Sequence, residues 1–485
     1  MTTPEISWIA ILPEIILALG AAGVLLVEVQ WKPPARALGS IAAVSIGLAA
    51  AATVVQWLDA ADALETGQTG DLIVFSRLVV MDGLAVFGRF ALLAVTAAGL
   101  LAGWRYLEGL GRRGAEAIAL ILLATSGFSI MVASNNLVMM FLGLEIGSIA
   151  LYVLAGMSRE RARSDEAAIK YFLLGSFASA IFIYGVALLY AGTGELEIIA
   201  IREFLAGFVV LSPTVMIIGL GLVIVGLGFK VSAAPFHSWA PDVYQGAPAG
   251  VVGYMAAMAK VAGFVAIARI LLAGLGSLES TWLPIIAGIA ALSMLVGSVL
   301  ALVQGDVRRM LAYSGVAHAG FIMTGVVGGT TEGILFYVTV YALQLVGAFA
   351  VVAAVSGAAN SESSLDAYRG LHRRSPLLAA SFTILLLGMA GLPLTSGFIA
   401  KFGVFAEAWG AGFEWLVIVA VLASVIAFAF YLRIIVVMYM DESDAADVVV
   451  PVTVRWVLLA AVATTILWGV LPGSLLDLAA DALAL

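Results

Sequence analysis

Residues 226–242 read GLGFKVSAAPFHSWAPD, an apolar run that holds one lysine, Lys230, and two prolines, Pro235 and Pro241. Proline lacks a backbone donor and its ring clashes with the preceding turn, so a continuous helix through Pro235 is unfavourable. Backbone outside a helix survives at membrane depth only where protein or a water-filled cavity surrounds it. If the run crosses a membrane, it therefore predicts a broken helix in the protein interior, beside a charged side chain.

The composition of the whole chain indicates that this run does cross a membrane. Of 485 residues, 63% are hydrophobic and 11% charged, and the mean hydropathy is +1.12. Soluble domains carry about 25% charged residues, so a soluble enzyme is excluded, and a disordered chain would be far less apolar. Apolar runs of about 20 residues cross a hydrocarbon core about 30 Å thick. We therefore expect an all-α polytopic membrane protein with a single transmembrane domain over residues 1–485 and about fourteen transmembrane helices. These are predicted to begin near Trp8, Ala37, Leu78, Ala115, Leu137, Ala167, Pro213, Ala249, Trp282, Met310, Ile334, Leu377, Phe413 and Trp456.

The twelfth predicted span repeats the interruption seen in the seventh. It reads Gly388-Met-Ala-Gly391-Leu-Pro393-Leu-Thr395-Ser396-Gly397, followed by Lys401. The breaks lie five spans apart, and because five is odd, two five-helix units would be inverted relative to each other, as in many transporters. This predicts N-terminal helices 1–3 in residues 1–114, a first repeat (helices 4–8) in 115–273, a second repeat (helices 9–13) in 282–440 and helix 14 in 452–476. Kinks that serve packing alone are the alternative.

Positive charges lie mainly in the loops that follow odd-numbered spans. These charges are Lys32, Arg36, Arg105, Arg112, Arg113, Arg159, Arg161, Arg163, Arg308, Arg309, Arg369, Arg373, Arg374 and Arg455. By the positive-inside rule these loops face the cytoplasm. We therefore expect a multi-pass protein of a bacterial cytoplasmic (inner) membrane, with both termini on the periplasmic side.

Four of the five lysines, Lys170, Lys230, Lys260 and Lys401, are embedded in apolar segments, and only Lys32 lies in a loop. A charge at the centre of a membrane helix costs about 2.5–3.5 kcal/mol. A buried lysine can release its proton, whereas arginine stays charged. The preference for lysine therefore predicts a proton relay, and the alternative is a set of structural ion pairs that lock helices together.

An acid and two histidines are further candidates for the relay. Glu145 lies near the midplane of the fifth span, where its charge would couple to that of a nearby ammonium group. His237 follows Lys230 by seven residues and has an ordinary pKa near 6.5, so it could pass a proton from Lys230 to Lys260. His318, inside the tenth span, has less support. Either histidine could instead be a core residue whose hydrogen bonds are satisfied.

The chain lacks cysteine and has three histidines, so we expect no redox cofactor site and no metal site on it. Its net charge of −8 indicates no nucleic-acid partner.

Three motifs carry a resemblance to a known family. They are Asp242-Val-Tyr244-Gln-Gly246-Ala-Pro248, Asp306-Val-Arg-Arg-Met-Leu-Ala-Tyr-Ser314 with His318-Ala-Gly320, and Ser396-Gly-Phe-Ile-Ala-Lys401-Phe. Together they resemble the antiporter-like membrane subunits of respiratory complex I, the proton-pumping NADH:quinone oxidoreductase. Within that family, lysine at position 401 and the short C-terminal segment resemble the N-type subunits, which are called subunit 2 in mitochondria.

The resemblance implies a membrane subunit that couples quinone reduction to H⁺ transport and performs no redox chemistry itself. FMN, iron–sulfur clusters and quinone would bind to other subunits. Its partners would be other membrane subunits of the complex, including neighbouring antiporter-like and small subunits, together with phospholipids. The family's relay positions match Glu145, Lys170, Lys230, His237, Lys260 and Lys401.

Two other functions remain open from the sequence. One is a subunit of a multi-subunit Na⁺/H⁺ antiporter, because such subunits share these motifs. The other is a scaffold whose channel does not conduct, for which lysine substitutions would affect assembly and not pumping.

Overall fold

The computed structural model describes residues 7–66, 72–74, 77–158, 162–208, 212–357, 363–443 and 445–481. Arg159 and Arg161, which contribute to the predicted orientation, lie outside this part of the chain. Nineteen α-helices form within it: α1 Leu12–Trp31, α2 Ala35–Thr66, α3 Gly83–Gly109, α4 Arg113–Ala133, α5 Leu137–Ala155, α6 Ala162–Thr193, α7 Ile198–Gly207, α8 Pro213–Lys230, α9 Trp239–Gly246, α10 Ala249–Ile267, α11 Glu279–Leu302, α12 Val307–Val327, α13 Thr331–Ser356, α14 Leu371–Arg374, α15 Pro376–Ala390, α16 Ser396–Gly410, α17 Glu414–Met440, α18 Val452–Val470 and α19 Gly473–Asp481.

The described helices confirm a polytopic membrane fold. Thirteen of them, some extended by short 3₁₀ or π turns, are long and apolar enough to span a membrane. The remaining predicted span, the twelfth, is divided into α15 and α16, so the helices are compatible with fourteen passes. The third span begins at Gly83 and not near Leu78, because the Asp82 side chain caps the helix by accepting from the Ala85 N–H. A two-residue antiparallel pair, β1 Ile73–Val74 with β2 Val79–Val80, precedes it.

Both predicted helix breaks lie at the positions of the interruptions in the sequence. α8 ends at Lys230 and α9 begins at Trp239, so Pro235 and His237 fall in the gap between them. α15 ends at Ala390 and α16 begins at Ser396, so Gly391 and Pro393 fall in the second gap. At each gap the carbonyl groups at the end of a helix therefore lack the donors of a following turn. Lys230 lies at the first gap and Lys401 near the second.

The two halves of the helical bundle share a local motif that is compatible with inverted repeats. At the start of α5, Asn136 caps the helix and forms a bridge with Glu197. At the start of α12, Asp306 caps the helix and forms the same kind of bridge with Ser364. These two helices are the fifth and tenth spans, so their starts belong to opposite sides of a membrane. We refer below to the side at α12's start, which also carries Arg309, as the basic side.

The core of the bundle is formed by α10, α12 and α13. Every residue of α10 is buried, and α12 and α13 are buried over most of their length. A helix that is apolar and buried on all sides must be surrounded by other helices, so this trio forms the interior against which the remaining helices pack. The broken helices end against this interior.

The pair α4 and α5 is in close contact through glycine. A Cβ on Gly127 would lie 2.5 Å from the backbone nitrogen of Gly147 and 2.9 Å from the carbonyl oxygen of Gly143. Small residues allow such close approach between membrane helices, and the contact is between backbones that cannot move aside. Gly288 of α11, in contrast, has no atom within 4 Å of a Cβ position.

We expect Gly127→Ala to destabilise the protein by about 1–3 kcal/mol, the usual range for overpacking a tight interface. Gly288→Ala is the matched control, because it adds the same methyl group in open space and improves helix propensity. The measurement is the midpoint of heat-induced aggregation of the detergent-extracted protein. Equal midpoints for the two variants would contradict the close contact of α4 with α5.

Candidate functional site

Two buried arginines form ion pairs. The Arg89 side chain contacts Glu14 at 2.8 Å, and Arg269 contacts Asp82 at 2.6 Å. Arg89 also donates to Gln56 Oε1 at 2.7 Å. A permanent charge in a low-dielectric interior requires a partner of opposite sign, and these two arginines have one. They therefore act as fixed anchors that attach α3 to α1, α2 and the π-helical turn Ala268–Gly274 that follows α10.

Three buried lysines differ from these arginines. Lys230, Lys260 and Lys401 are 4%, 1% and 5% exposed. Among the described residues, no carboxylate oxygen lies within ion-pair distance of any of the three ammonium groups. Their partners are neutral oxygens and aromatic rings. A charge that is held only by dipoles is expensive to bury.

Lys230 ends α8 and points at α5 and α4. Its Nζ donates to Ser148 Oγ at 2.8 Å and lies 4.7 Å from the centre of the Phe128 ring. A ring face attracts a cation electrostatically, although more weakly than a carboxylate does. The hydroxyl and the ring together solvate the ammonium group without neutralising it.

Glu145 lies three residues before Ser148 on α5, which places the two side chains on one face of the helix. The Glu145 carboxylate is half-buried and accepts a hydrogen bond from Ser179 of α6. It does not form a direct ion pair with Lys230 within the described structure. The Glu145 carboxylate therefore interacts electrostatically with the Lys230 ammonium group from about one helical turn away. Glu145 itself lies near the outer surface of the bundle.

Lys260 contacts the first helix break. Its Nζ donates to the Val231 carbonyl at 2.9 Å and to the Gly315 carbonyl at 2.7 Å. Val231 directly follows the last residue of α8, and carbonyls at a helix end have no intrahelical donor. The break in the seventh span thus supplies an acceptor for the lysine of the eighth.

Lys401 contacts the second break in the same manner. Its Nζ donates to the carbonyl of Ala390, the last residue of α15, at 2.9 Å and lies 3.4 Å from Ser424 Oγ. The next residue, Gly391, has φ +87°, and a Cβ there would lie 3.0 Å from Lys401 Cδ. Glycine is therefore needed both for the backbone conformation and for the space that the lysine fills.

His318 lies on α12 between the contacts of Lys260 and Lys401. It follows Gly315, the acceptor of Lys260, by three residues, and precedes Phe321 by three. The Lys401 ammonium group lies 4.5 Å from the centre of the Phe321 ring. Successive positions three residues apart share one helix face, so α12 places His318 in line between the two amines.

Three tyrosines surround the His318 ring. Its Nδ1 lies 3.0 Å from Tyr337 Oη and its Nε2 lies 3.3 Å from Tyr431 Oη, while the ring stacks on Tyr341 at 4.2 Å. Each hydroxyl can donate or accept, so the ring can be neutral in either tautomer or doubly protonated with both nitrogens bonded. Such a group is suited to accept a proton on one side and release it on the other.

His237 lies in the gap between α8 and α9. Its Nδ1 is buried without a hydrogen-bond partner in the described structure, and the ring lies 6.2 Å from that of Tyr313 with the planes steeply inclined. A buried ring nitrogen needs a partner, and a water molecule in the gap would provide one.

Lys170 corrects the sequence-based expectation, because it is not embedded in an apolar interior. Its side chain is 41% exposed and its Nζ lies 2.6 Å from Glu166 and 2.7 Å from Asp242. Asp242 in turn contacts Arg309 at 2.6 Å. The reason is position: Lys170 lies two turns from the start of α6, beside the acidic Asp165 and Glu166, where the helix reaches the basic side.

Several residues that complete the site could not be assigned a role from the sequence. Asp242 and Arg309 lie within the quoted motifs, but the sequence does not show which residues these charges contact. Ser148, Tyr337 and Tyr431 gave no signal, because single hydroxyl side chains are common in membrane helices. Among the described residues, no group of three or more His, Asp and Glu side chains is arranged to hold a metal ion.

The sequence and the fold of the chain are similar to those of known proteins. A sequence profile of the family described as NADH:quinone oxidoreductase/Mrp antiporter, transmembrane, matches residues 134–427. NADH-quinone oxidoreductase subunit N 1 of Solibacter usitatus is 38% identical over 481 residues, which are 98% of this chain and 96% of that one. Subunit N of Parafrankia sp. is 46% identical over 374 residues, covering 76% and 71% of the two chains.

Solved structures show the same fold. A chain of respiratory complex I from Thermus thermophilus with bound aureothin is 32% identical and superposes with a TM-score of 0.79, covering 96% of this chain and 98% of that one. A chain of the Mrp complex from Dietzia sp. has the same TM-score at 21% identity, covering 97% and 96%. At that identity the likeness shows the fold alone.

Proposed function

Because the chain belongs to the subunit N family of NADH-quinone oxidoreductase, we propose that Lys230, Lys260 and Lys401 carry protons through it. As a member of that family it is an antiporter-like, proton-translocating membrane subunit of complex I. The proposal rests on one observation: three buried ammonium groups contact neutral oxygens and rings, while two buried arginines are paired with carboxylates. Redox chemistry, with FMN, iron–sulfur clusters and quinone, belongs in this proposal to other subunits.

The relay runs from the basic side towards α17. A proton from the basic side reaches Lys230 by way of Lys170, which is exposed and paired with Glu166 and Asp242, or by way of neighbouring waters. His237, in the first gap, passes it to Lys260. His318 then connects Lys260 to Lys401 along α12. Each step changes the charge beside the next amine, so the proton affinities of neighbouring groups are coupled.

Glu145 links the relay to a neighbouring subunit. It lies on α5 beside side chains that are exposed in this chain, among them Ile146 at 42% and Ile149 at 53%. An apolar surface with a half-buried acid at its centre fits a small or antiporter-like membrane subunit that brings its own charge close. A charge change there alters the free energy of protonated Lys230 through one turn of α5.

The protein in this proposal lies in a bacterial cytoplasmic membrane with the basic side in the cytoplasm and both termini in the periplasm. A Na⁺/H⁺ antiporter subunit is the second candidate function, supported by the shared fold of the Mrp chain. The relatives that cover nearly the whole chain are named as complex I subunits, which favours the first.

Lys230→Arg separates charge from proton release, because arginine keeps the cation but does not deprotonate. We expect redox-coupled proton transport to fall about tenfold, equivalent to about 1.4 kcal/mol of barrier. The measurement is dye-detected acidification per NADH oxidised in membrane vesicles that contain the assembled complex. Lys32→Arg, in an exposed loop, is the control. Full transport by the Lys230→Arg complex would support a non-conducting scaffold.

His318→Phe tests the connection along α12. The phenyl ring retains the stacking on Tyr341 but removes both nitrogens, so we expect a severalfold loss of proton transport with the complex still assembled. His372→Phe is the control, because His372 lies at the basic side, where its Nδ1 contacts the Met438 carbonyl and its ring stacks on Tyr439. If both variants transported protons normally, Lys260 and Lys401 would be connected by another route.

Gly391→Ala tests the position of Lys401. The substitution strains a residue at φ +87° by about 1–3 kcal/mol and displaces the lysine side chain. Gly412→Ala imposes similar strain at φ +84° with no atom within 4 Å of the Cβ position. We expect reduced proton transport in the first variant and unchanged transport in the second, measured in the same vesicles. Equal losses would mean that strain alone, and not the lysine, explains the effect.

A further inference from the structure

A groove on the outer surface lies between α2 and α3, next to the start of α18. Its volume is about 480 Å³, and its walls include Arg36, Gly39, Gly47, Trp104 and Thr453. Trp104 packs directly against the bare backbone of Gly39, which shapes one wall. None of the relay residues lines this groove, so it is a feature separate from the proposed proton path.

The groove has the length of one membrane leaflet. Arg36 and Gly47 are eleven residues apart on α2, which corresponds to about 16 Å at 1.5 Å per residue. Half of a hydrocarbon core is about 15 Å thick. Between these ends α2 contributes Ala43 and Ile46, and Gly47 has open space beside it. The inner part of the groove thus has the form and polarity of a channel for one acyl chain.

The outer end is polar and positively charged. Arg36 is exposed, and its guanidinium has no ion pair or hydrogen bond within the described part of the chain. Thr453 Oγ1 is buried and lacks a hydrogen-bond partner there. Of the residues that line the groove, none is acidic. A buried hydroxyl without a partner costs free energy unless a ligand satisfies it, and a lone arginine attracts an anion.

We propose that this groove binds an anionic phospholipid in the leaflet on the basic side. Its phosphate contacts Arg36, an oxygen of its headgroup or glycerol region accepts from Thr453, and one acyl chain follows α2 to Gly47. Basic pockets between membrane helices are known to hold such headgroups. The charge of Arg36 distinguishes this ligand from a zwitterionic lipid, and the length of the groove distinguishes it from a free phosphate.

The test uses the assembled complex in nanodiscs with phosphatidylglycerol that carries a photoreactive diazirine on its acyl chain. We expect cross-links on α2 near residues 43–47. Arg36→Gln should lower the labelling about fivefold, the effect of removing one cation near a membrane surface. Gly47→Phe should block the inner groove and abolish labelling at this site. Gly288→Phe is the control, because it adds the same ring to an open, exposed position of α11.

NADH:quinone turnover of each variant confirms that the complex is assembled, since neither Arg36 nor Gly47 is part of the relay. Equal labelling by the phosphatidylcholine analogue, or unchanged labelling of Arg36→Gln, would overturn the anion site. Unchanged labelling of Gly47→Phe would overturn the acyl channel. Labelling by a photoreactive quinone that phosphatidylglycerol does not displace would also overturn the proposal and assign the groove to quinone.

Discussion

The structure depends on how three ammonium groups are held in its interior without counter-ions among the described residues. Lys260 and Lys401 each donate to a carbonyl at the end of a broken helix, Val231 in one case and Ala390 in the other. A continuous helix would use those carbonyls for its own hydrogen bonds. The breaks therefore solvate the amines with dipoles, which lower the cost of the charged form without fixing it as a carboxylate would.

The fifth span (α5) and the tenth span (α12) place a polar side chain at the same distance from their N-caps. Ser148 lies twelve residues after the cap Asn136, and His318 lies twelve residues after the cap Asp306. Ser148 contacts Lys230 directly, while His318 lies between the contacts of Lys260 and Lys401. If the halves are inverted repeats, a hydroxyl in one corresponds to an imidazole in the other. Only the imidazole can bind an extra proton, so the proposed relay has one more proton carrier in the second half than in the first.

The parts of the site that could be predicted from the sequence are residues unsuited to an apolar helix, namely buried lysines and interrupting prolines. Lys230, Lys260 and Lys401 stand out in apolar runs, and Pro235 and Pro393 are incompatible with a continuous helix, so both features can be read without a structure. The exposure of Lys170 was not predicted, because hydropathy averages over a window and does not show that the first turns of α6 reach the basic side.

The setting of His318 could not be read from the sequence. Tyr337 and Tyr431 are 19 and 113 residues away along the chain, and only packing brings them to the ring. The Arg269–Asp82 pair, 187 residues apart, was likewise invisible. The sequence shows which charged or polar residues lie in apolar segments. The partners that stabilise them in the interior are brought close only by tertiary contacts.

The division of labour between arginine and lysine follows from their chemistry. The bidentate Arg269–Asp82 pair and the Arg89–Glu14 pair keep fixed charges and attach the N-terminal helices to the bundle. Because arginine holds its proton, these anchors do not change as charge moves nearby. Among the described residues, Lys230, Lys260 and Lys401 have no carboxylate partner, and in the proposed relay they alternate between the charged and the neutral state. Rigid anchors around titratable amines allow charge to move while the helices stay in place, which a relay built from arginines could not achieve.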